Sequence, residues 1–285
     1  MRKVAVIGFG TMGSGIAQIF AQAGYEVTAR ARHQSTLNQG LEMIRDGPFG
    51  LAKAVQKGKI TDEQAKAVIS RIRVTTDLAE AVKDADFVVE TVVEKMEEKQ
   101  KIFAEIDALI SKDVILVSNT SSLSITSIAS ATKRPEKVAG MHFFNPVPVM
   151  KLVEVIKGLL TSDETVEVVT KFSEKVGKTP VLVNKDVPGF VANRIGFAGM
   201  LEAIRLYEEN VSSAEDIDKA MKLGYNWPLG PLELADLIGL DVVLDTSEAI
   251  YKETGDPKYN PPIILKQMIK AGLLGRKTGK GFYKY

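Results

Sequence analysis

The feature that most constrains the fold is an apolar stretch that runs directly into a glycine-rich turn, at residues 4–15. Gly8 permits a tight turn from strand to helix, Gly10 lets the backbone approach a pyrophosphate, and Gly13 allows the helix to pack closely on the strand. Residues 16–24 continue as an apolar helix that ends at a glycine, and the free N–H groups at the start of such a helix favour an anion. The glycines therefore lie in the context that a dinucleotide-binding site requires.

The composition narrows the classes of function. The chain has 285 residues, which favours two domains, and its net charge of +1 argues against general electrostatic binding to nucleic acid or to an anionic membrane. It has no cysteine and only two histidines, so we expect no thiolate chemistry, no disulfide and no metal centre. No stretch approaches the roughly 18 apolar residues of a membrane span, and the apolar run before Gly8 is too short for a signal peptide. We therefore expect a soluble, cytoplasmic protein.

Apolar runs and helical patterns alternate through the first part of the chain. The predicted strands are 4–7, 26–30, 73–75, 87–89, 114–117, 138–141, 152–156 and 180–183. A longer helical excursion, about 35–72, is interrupted near Gly47 and Pro48, and after residue 186 only helical patterns follow, at 190–207, 214–221, 231–253 and 261–271. The sequence therefore predicts a Rossmann-type, mostly parallel sheet over residues 1–186 and an all-α domain over residues 187–285. The second domain is expected to cover the substrate and to supply a subunit interface.

The end of the second predicted strand determines which dinucleotide fits best. NAD-binding units carry an acidic residue here, about 20 residues after the glycines, which accepts hydrogen bonds from the adenosine ribose. This chain has Ala31 at that position, between Arg30 and Arg32. An acid would repel a 2′-phosphate, whereas arginine side chains can bind one bidentately, so we predict a preference for NADP(H) over NAD(H). The alternative is that both arginines are solvated and that the site has only lost affinity for NAD.

Polar residues gather where three successive predicted strands end. Glu90 and Glu94 follow the fourth strand, the run Ser-Asn-Thr-Ser-Ser at 118–122 follows the fifth, and His142 follows the sixth. Ligands of open α/β sheets bind at this edge. Glu154 interrupts the apolar run 152–156, and because a buried carboxylate is costly without a partner, it requires one. His142, the nearer of the two histidines, lies at the same polar edge.

Three lysines lie close together in the helical excursion, at Lys53, Lys57 and Lys59. One interpretation is a solvated helix face. The other is a set of ligands for a phosphate-bearing substrate, and the residues alone leave both open.

Several segments together resemble the L-3-hydroxyacyl-CoA dehydrogenase family, which includes 3-hydroxybutyryl-CoA dehydrogenases. They are the glycine turn 8–13, SNTSSL at 118–123, MHFFNPVPVMKLVE at 141–154, PGFVANR at 188–194 and GRKTGKGFY at 275–283. The glycine turn alone is generic, whereas the segment that runs from His142 to Glu154 is specific. The resemblance covers essentially the whole chain.

The resemblance implies transfer of a hydride between a nicotinamide ring and C3 of a 3-hydroxyacyl-CoA, with short acyl chains expected. It implies that His142 is the catalytic base, that Glu154 is its carboxylate partner, and that Ser121 and Asn193 bind the reacting oxygen. The expected cofactor contacts are Gly8, Gly10, Thr11, Met12, Gly13, Arg30, Ala31, Arg32, Glu94, Lys99, Asn119, Ser121, Asn145 and Lys277. Ser121, Asn193, Lys53 and Lys57 are the expected substrate contacts, with no single lysine assigned to CoA. A homodimer through the helical domain is also implied.

Ala31 departs from the family, whose NAD-using members carry aspartate there, and this puts NAD dependence in doubt. Four alternatives stay open from the residues. His142 and Glu154 could be an internal structural pair, or Ser121 could be the nucleophile of a hydrolase, although no GxSxG elbow surrounds it. The chain could also be a non-catalytic dinucleotide-binding protein, or a related dehydrogenase of a free 3-hydroxy sugar acid.

Overall fold

The computed structural model describes residues 2–111 and 113–285. The chain divides into two compact units, Met1–Asp186 and Val187–Tyr285. The first combines a sheet with helices, and the described part of the second is built mainly from helices. This is the order of elements that the sequence predicts.

The first unit is organised around one eight-stranded sheet. The strands are β1 (Lys3–Ile7), β2 (Glu26–Arg30), β3 (Ile72–Thr75), β4 (Phe87–Glu90), β5 (Ile115–Ser118), β6 (Val138–Phe143), β7 (Leu152–Ile156) and β8 (Thr179–Val183). Their spatial order is β3-β2-β1-β4-β5-β6-β7-β8, and neighbouring strands are parallel except for β6 and β7. The predicted mostly parallel, Rossmann-type sheet is confirmed.

Helices connect the parallel strands, which cannot be joined by tight turns. In the first unit the helices are α1 (Thr11–Gln22), α2 (Gln34–Asp46), α3 (Leu51–Gln56), α4 (Asp62–Ser70), α5 (Leu78–Val82), α6 (Met96–Leu109), α7 (Ile125–Ala129) and α8 (Asp163–Lys175), with a 3₁₀ helix at Pro135–Lys137. The predicted excursion thus consists of α2, α3 and α4, and α2 ends immediately before Gly47. Thr61 and Gln64 form a capping box that begins α4.

In the second unit the helices are α9 (Ala192–Glu208), α10 (Ala214–Gly224), α11 (Pro231–Ile238), α12 (Leu240–Thr254) and α13 (Ile263–Lys270), with 3₁₀ helices at Pro257–Tyr259 and Arg276–Thr278. The prediction of one helix over 231–253 is wrong. Gly239 has a φ of 105°, which ends α11 and redirects the chain into α12. A helical period continues across such a break, so the pattern alone does not reveal it.

Strand β6 is longer than the sequence predicts, and this changes the position of His142. The predicted strand stops at residue 141, whereas β6 continues to Phe143 because its last residues pair with β7. His142 is opposite Glu154 and Phe143 is opposite Val153 in this antiparallel pair. His142 therefore lies inside the sheet and not in a loop beyond it.

Aromatic side chains join α1 and α8 to the sheet. The Phe172 ring of α8 lies 4.4 Å from the ring of Phe87 in β4 and 5.1 Å from that of Phe20 in α1, measured between centroids. All three side chains are buried. Burial of each contributes about 1.5–3 kcal/mol, so this cluster is a main attachment of the two helices.

Two buried carboxylates organise the helical unit. Asp218 of α10 accepts hydrogen bonds from the backbone N–H groups of Leu232 and Glu233, both at 2.8 Å, and so caps the start of α11. Asp236 accepts hydrogen bonds from the N–H groups of Phe282 and Tyr283, at 3.0 and 2.9 Å. These two hydrogen bonds fix the end of the described chain to α11. Burial raises the pKa of Asp236.

Helix α2 approaches the glycine turn so closely that only glycine fits at residue 40. A Cβ at Gly40 would lie 2.3 Å from Cδ1 of Phe9 and 2.7 Å from the Phe9 carbonyl oxygen. The Phe9 side chain is buried and cannot move aside freely. The pair Phe9 and Gly40 therefore fixes the position of α2 against the turn.

We expect the substitution Gly40→Ala to lower the free energy of unfolding by about 1–3 kcal/mol, because the added methyl group overpacks this contact. The measurement is calorimetric unfolding of the variant and the parent chain. Gly196→Ala in α9 is the control, because a Cβ there meets nothing within 4 Å and should stabilise the helix by about 0.5–1 kcal/mol. Equal stability of Gly40→Ala and the parent would contradict this account.

Candidate active site

The glycine turn is held by Thr91, which directly follows β4. The Thr91 hydroxyl donates to the Gly8 carbonyl oxygen at 2.9 Å. Gly8 has a φ of 106°, and a Cβ there would lie 2.6 Å from the Thr91 carbonyl oxygen; a Cβ at Gly13 would lie 2.0 Å from the Gly8 oxygen. At Gly10, by contrast, a Cβ would meet nothing within 4 Å. Packing within the protein thus leaves no room for a side chain at Gly8 or Gly13, whereas Gly10 faces open space.

Helix α1 begins at Thr11, so Thr11 and Met12 provide the first helical N–H groups after Gly10. Such groups have no partner within a helix and attract anions. The open space at Gly10 and the start of α1 together fit a dinucleotide pyrophosphate.

The sequence did not identify Thr91 as part of this site. The only available signal was that Thr91 follows β4, the strand that pairs with β1.

Both arginines at the end of β2 contact other protein groups. Arg30 Nε donates to the Thr76 carbonyl oxygen at 3.2 Å, and Arg32 forms an ion pair with Glu98 of α6. The hydrogen bond and the charge of Arg32 lower the pKa of Glu98. Ala31 between them is only 5% exposed. A 2′-phosphate at this position would therefore share Arg32 with a carboxylate that the sequence did not reveal.

The clearest candidate for acid–base chemistry is the contact between His142 and Glu154. Nδ1 of His142 lies 2.8 Å from Oε2 of Glu154, and the two residues are exposed by only 5% and 0%. Their contact follows from the antiparallel register of β6 and β7, which places them opposite each other. A carboxylate on Nδ1 fixes the tautomer and the orientation of the imidazole ring. The Phe144 ring packs on the imidazole with 4.5 Å between centroids.

Ser121 is held by Glu94. The Ser121 N–H and hydroxyl donate to Oε1 of Glu94 at 2.8 and 3.2 Å, and the Thr120 hydroxyl donates to the same oxygen at 2.5 Å. Burial by itself would raise the pKa of Glu94, but Lys99 and these hydrogen bonds together lower it. Glu94 is therefore a carboxylate that orders the segment after β5.

Lys99 is completely buried, although it is expected to contact the cofactor. Its ammonium lies 2.8 Å from Oε1 of Glu90 and 3.3 Å from Oε2 of Glu94. A fully buried ammonium needs such partners. The contact between Lys99 and a cofactor stays a prediction, whereas its two ion pairs within the protein are present.

Two asparagines predicted for the cofactor have different surroundings. The side-chain oxygen of Asn119 accepts a hydrogen bond from the Phe143 N–H at 2.8 Å and so joins the end of β5 to the end of β6. Asn145 is exposed and precedes Pro146 through a cis peptide bond. Asn119 thus positions the strand that carries His142.

The lysines of the excursion line a surface cavity of about 170 Å³. Lys53 lies in α3, and Lys57 and Lys59 follow it. Phe49 and Pro148, from the segments before α3 and after β6, contribute apolar surface to the same cavity. The fold therefore brings together the candidate CoA lysines and the segment after His142.

Two predicted site residues belong to the second unit. Asn193 is the second residue of α9, and it is partly buried. Lys277 forms an ion pair with Asp241 of α12, and the hydrogen bond from Lys277 lowers the pKa of that carboxyl group. Their contacts with substrate and cofactor stay predictions.

Lys178, which the sequence did not single out, holds the segment after Asn145. Its ammonium donates to the carbonyl oxygens of Val147 and Met150, and only 8% of the residue is exposed. Burial, with a contribution from the charge of Lys151, lowers the pKa of Lys178 from 10.5 to about 8.

Among the described residues, no group of three or more metal-binding side chains is present. None of the helices in this part of the chain has the length and apolar character that crossing a membrane requires.

The lowered pKa of Lys178 predicts a specific pH dependence. Between about pH 8 and 10.5 the folded protein has released this proton while the unfolded chain still binds it, so stability from this group rises with pH. We expect the difference in Tm between the parent and Lys178→Met to shift in favour of the parent across this range. Exposed Lys175→Met is the control, and a difference that stays constant with pH would refute the assignment.

The sheet order, the glycine turn with open space at Gly10 and the buried pair of His142 and Glu154 define a dinucleotide-binding protein of the Rossmann type with an acid–base pair. Residues 3–187 match the family model for the 3-hydroxyacyl-CoA dehydrogenase NAD binding domain, and residues 189–285 match that for the 3-hydroxyacyl-CoA dehydrogenase C-terminal domain. The chain belongs to the 3-hydroxyacyl-CoA dehydrogenase family.

Several relatives match the chain over nearly its full length. The chain is 50% identical to a 3-hydroxybutyryl-CoA dehydrogenase of Clostridioides difficile, over 99% of each chain. It is 45% identical to one of Bradyrhizobium diazoefficiens, over 100% of this chain and 96% of the relative. The crystal structure of (S)-3-hydroxybutyryl-CoA dehydrogenase from Ralstonia eutropha superposes with a TM-score of 0.96 at 44% identity, over 100% of this chain and 99% of that one.

Proposed function

We propose that this protein is an NAD(P)-dependent dehydrogenase that interconverts 3-hydroxybutyryl-CoA and acetoacetyl-CoA. The observation that carries the proposal is the buried contact of 2.8 Å between His142 Nδ1 and Glu154 Oε2, in the same sheet as the glycine turn. A dinucleotide turn alone is compatible with many functions. The names of the relatives from Clostridioides difficile and Ralstonia eutropha support the substrate.

His142 moves the proton of the reaction. During oxidation its Nε2 takes the proton from the C3 hydroxyl group, and during reduction it returns the proton to the carbonyl oxygen. Glu154 orients the imidazole and stabilises the imidazolium form. The nicotinamide, when bound, supplies or accepts the hydride.

The Ser121 hydroxyl turns from Glu94 to the reacting oxygen, and together with Asn193 it donates hydrogen bonds there and stabilises the charge that develops. Lys53 and Lys57 attract the phosphates of CoA, and the cavity that they line with Phe49 supports this role. The start of α1 binds the pyrophosphate of the dinucleotide, and Glu94, Asn145 and Lys277 contribute further contacts. Each of these roles is part of the proposal.

The preferred dinucleotide is NADP(H). Ala31 has no carboxylate to accept the ribose hydroxyls or to repel a 2′-phosphate, and Arg32 can turn from Glu98 to a phosphate. We further propose that the protein acts as a cytoplasmic homodimer associated through its helical unit. A dehydrogenase of a free sugar acid is the alternative, and it lacks the support that the relatives give to a CoA thioester.

The substitution His142→Gln should abolish reduction of acetoacetyl-CoA while the cofactor still binds, because glutamine cannot exchange the proton. Glu154→Gln should lower kcat about 10²- to 10⁴-fold, the usual range for loss of general acid–base support. Initial rates and fluorescence titration with the reduced cofactor measure the two properties. His33→Gln, assayed at saturating cofactor, controls for the loss of an imidazole elsewhere in the chain. Free acetoacetate, used as substrate in place of acetoacetyl-CoA, controls for the contribution of the CoA group. Turnover by His142→Gln near the parent rate would rule out the assigned base.

Cofactor preference is tested by initial rates with NADPH and with NADH at fixed pH and salt. We expect kcat/KM to be about 10- to 100-fold higher with NADPH, since one charge-assisted contact contributes about 1.5–3 kcal/mol. Ala31→Asp should reverse the preference, and Arg32→Gln should remove it. A clear advantage for NADH in the parent would overturn the proposed preference but not the proposed reaction.

A further inference from the structure

A chain of buried charges extends from the end of β4 toward Ser121, and it starts at Glu90. Glu90 is the last residue of β4 and is 0% exposed. Its Oε2 accepts a hydrogen bond from the Ser118 hydroxyl at 2.6 Å, and its Oε1 accepts one from the Val92 N–H, also at 2.6 Å. Both oxygens are therefore fixed by groups of the protein itself, one at the end of β5 and one just after β4.

Lys99 connects Glu90 to Glu94. Its ammonium lies 2.8 Å from Oε1 of Glu90 and 3.3 Å from Oε2 of Glu94. It also donates to the Val92 carbonyl oxygen at 3.4 Å. Since Lys99 has no exposed surface, the geometry of these contacts is set by the core of the first unit.

Glu94 uses its two oxygens for two different purposes. Oε2 faces Lys99, whereas Oε1 accepts the hydrogen bonds from the Ser121 N–H and hydroxyl and from the Thr120 hydroxyl. A carboxylate that is held at one oxygen cannot rotate freely at the other. The orientation of Ser121 thus depends on Lys99, and through Lys99 on Glu90.

A gain in stability does not by itself explain why Glu90, Lys99 and Glu94 lie together. Two carboxylates share one ammonium, and burial raises the pKa of Glu90. Buried ion pairs are often no more stabilising than apolar residues of the same volume, although removal of one partner is costly. Polar groups with fully satisfied partners do, however, hold a unique geometry.

We propose that Glu90 is a positioning residue for the reaction: acting through Lys99 and Glu94, it holds the Ser121 N–H and so places the Ser121 hydroxyl, whose proton turns from Glu94 to the reacting oxygen when substrate binds. This inference rests on the proposed function, because Ser121 matters for turnover only if it binds the reacting oxygen. Glu90 itself touches neither substrate nor cofactor in this scheme.

The test is Glu90→Gln, which keeps the shape of the side chain and removes its charge. Lys99 then loses the negative charge of Glu90, is attracted more strongly to Glu94 and draws that carboxylate away from Ser121. We expect kcat/KM for acetoacetyl-CoA to fall about tenfold, since small misplacements of a positioning group are costly. All rates are measured at saturating cofactor, because Glu94 is also a proposed cofactor contact, and in the Ser121→Ala background the same substitution should then cause no further loss. Ser118→Ala, which removes one hydrogen bond to Glu90, should cause a smaller loss of about threefold and serves if Glu90→Gln does not fold.

Asp107→Asn is the matched control. Asp107 and Arg134 form another buried ion pair in the first unit, at 2.6 Å, and neither residue contacts Ser121 or Glu94 in the described structure. This variant should lower Tm without lowering kcat/KM. Equal losses of kcat/KM from Glu90→Gln in the parent and in the Ser121→Ala background would overturn the proposal, as would no loss in the parent.

Amide hydrogen exchange at Ser121 gives a readout that does not require turnover. The Ser121 N–H donates to Glu94, so Glu90→Gln should accelerate its exchange, whereas Asp107→Asn should not. Unchanged exchange in Glu90→Gln would refute the positioning role. If the parent protein fails to reduce acetoacetyl-CoA, the proposed function fails, and the exchange experiment still decides whether Glu90 orders Ser121.

Discussion

The contact between His142 and Glu154 depends on one antiparallel strand pair in an otherwise parallel sheet. Because β6 and β7 are antiparallel, residues directly opposite each other meet on one face, and His142 meets Glu154. A shift of one residue in this register would turn one of the two side chains to the other face of the sheet. The apolar neighbours of Glu154 in β7 are buried, which fixes the register strongly.

Close backbone approach is the second constraint. The first strand, the turn after it and Thr91 lie so near one another that Gly8 and Gly13 have no room for a side chain. Phe9 then fills the space above Gly40 and holds α2 against the turn. The protein thus uses most of the glycine pattern for its own packing, and the open position at Gly10 is what a ligand can use.

Sequence reasoning recovered the sheet and the order of elements, because both rest on local patterns, whereas the resemblance to the 3-hydroxyacyl-CoA dehydrogenase family implied the pairing of His142 with Glu154. Apolar runs mark buried strands, and a carboxylate within such a run requires a partner. It did not reveal Glu98 beside Arg32, or the burial of Lys99. The first is a contact between residues far apart in the chain, and in both cases the residue lies in or contacts α6, where charged residues usually mark a solvated helix face.

The sequence by itself determined the fold class, the glycine turn and the residue types available for acid–base chemistry, since these follow from hydrophobic period, glycine spacing and composition. Only the tertiary structure decided which groups meet. It extended β6 so that His142 lies inside the sheet, broke the helical pattern at Gly239, and buried Lys99 between two carboxylates. Such outcomes depend on how strands and helices pack in three dimensions and on the backbone conformation at single residues, and neither the hydrophobic period nor the glycine spacing records them.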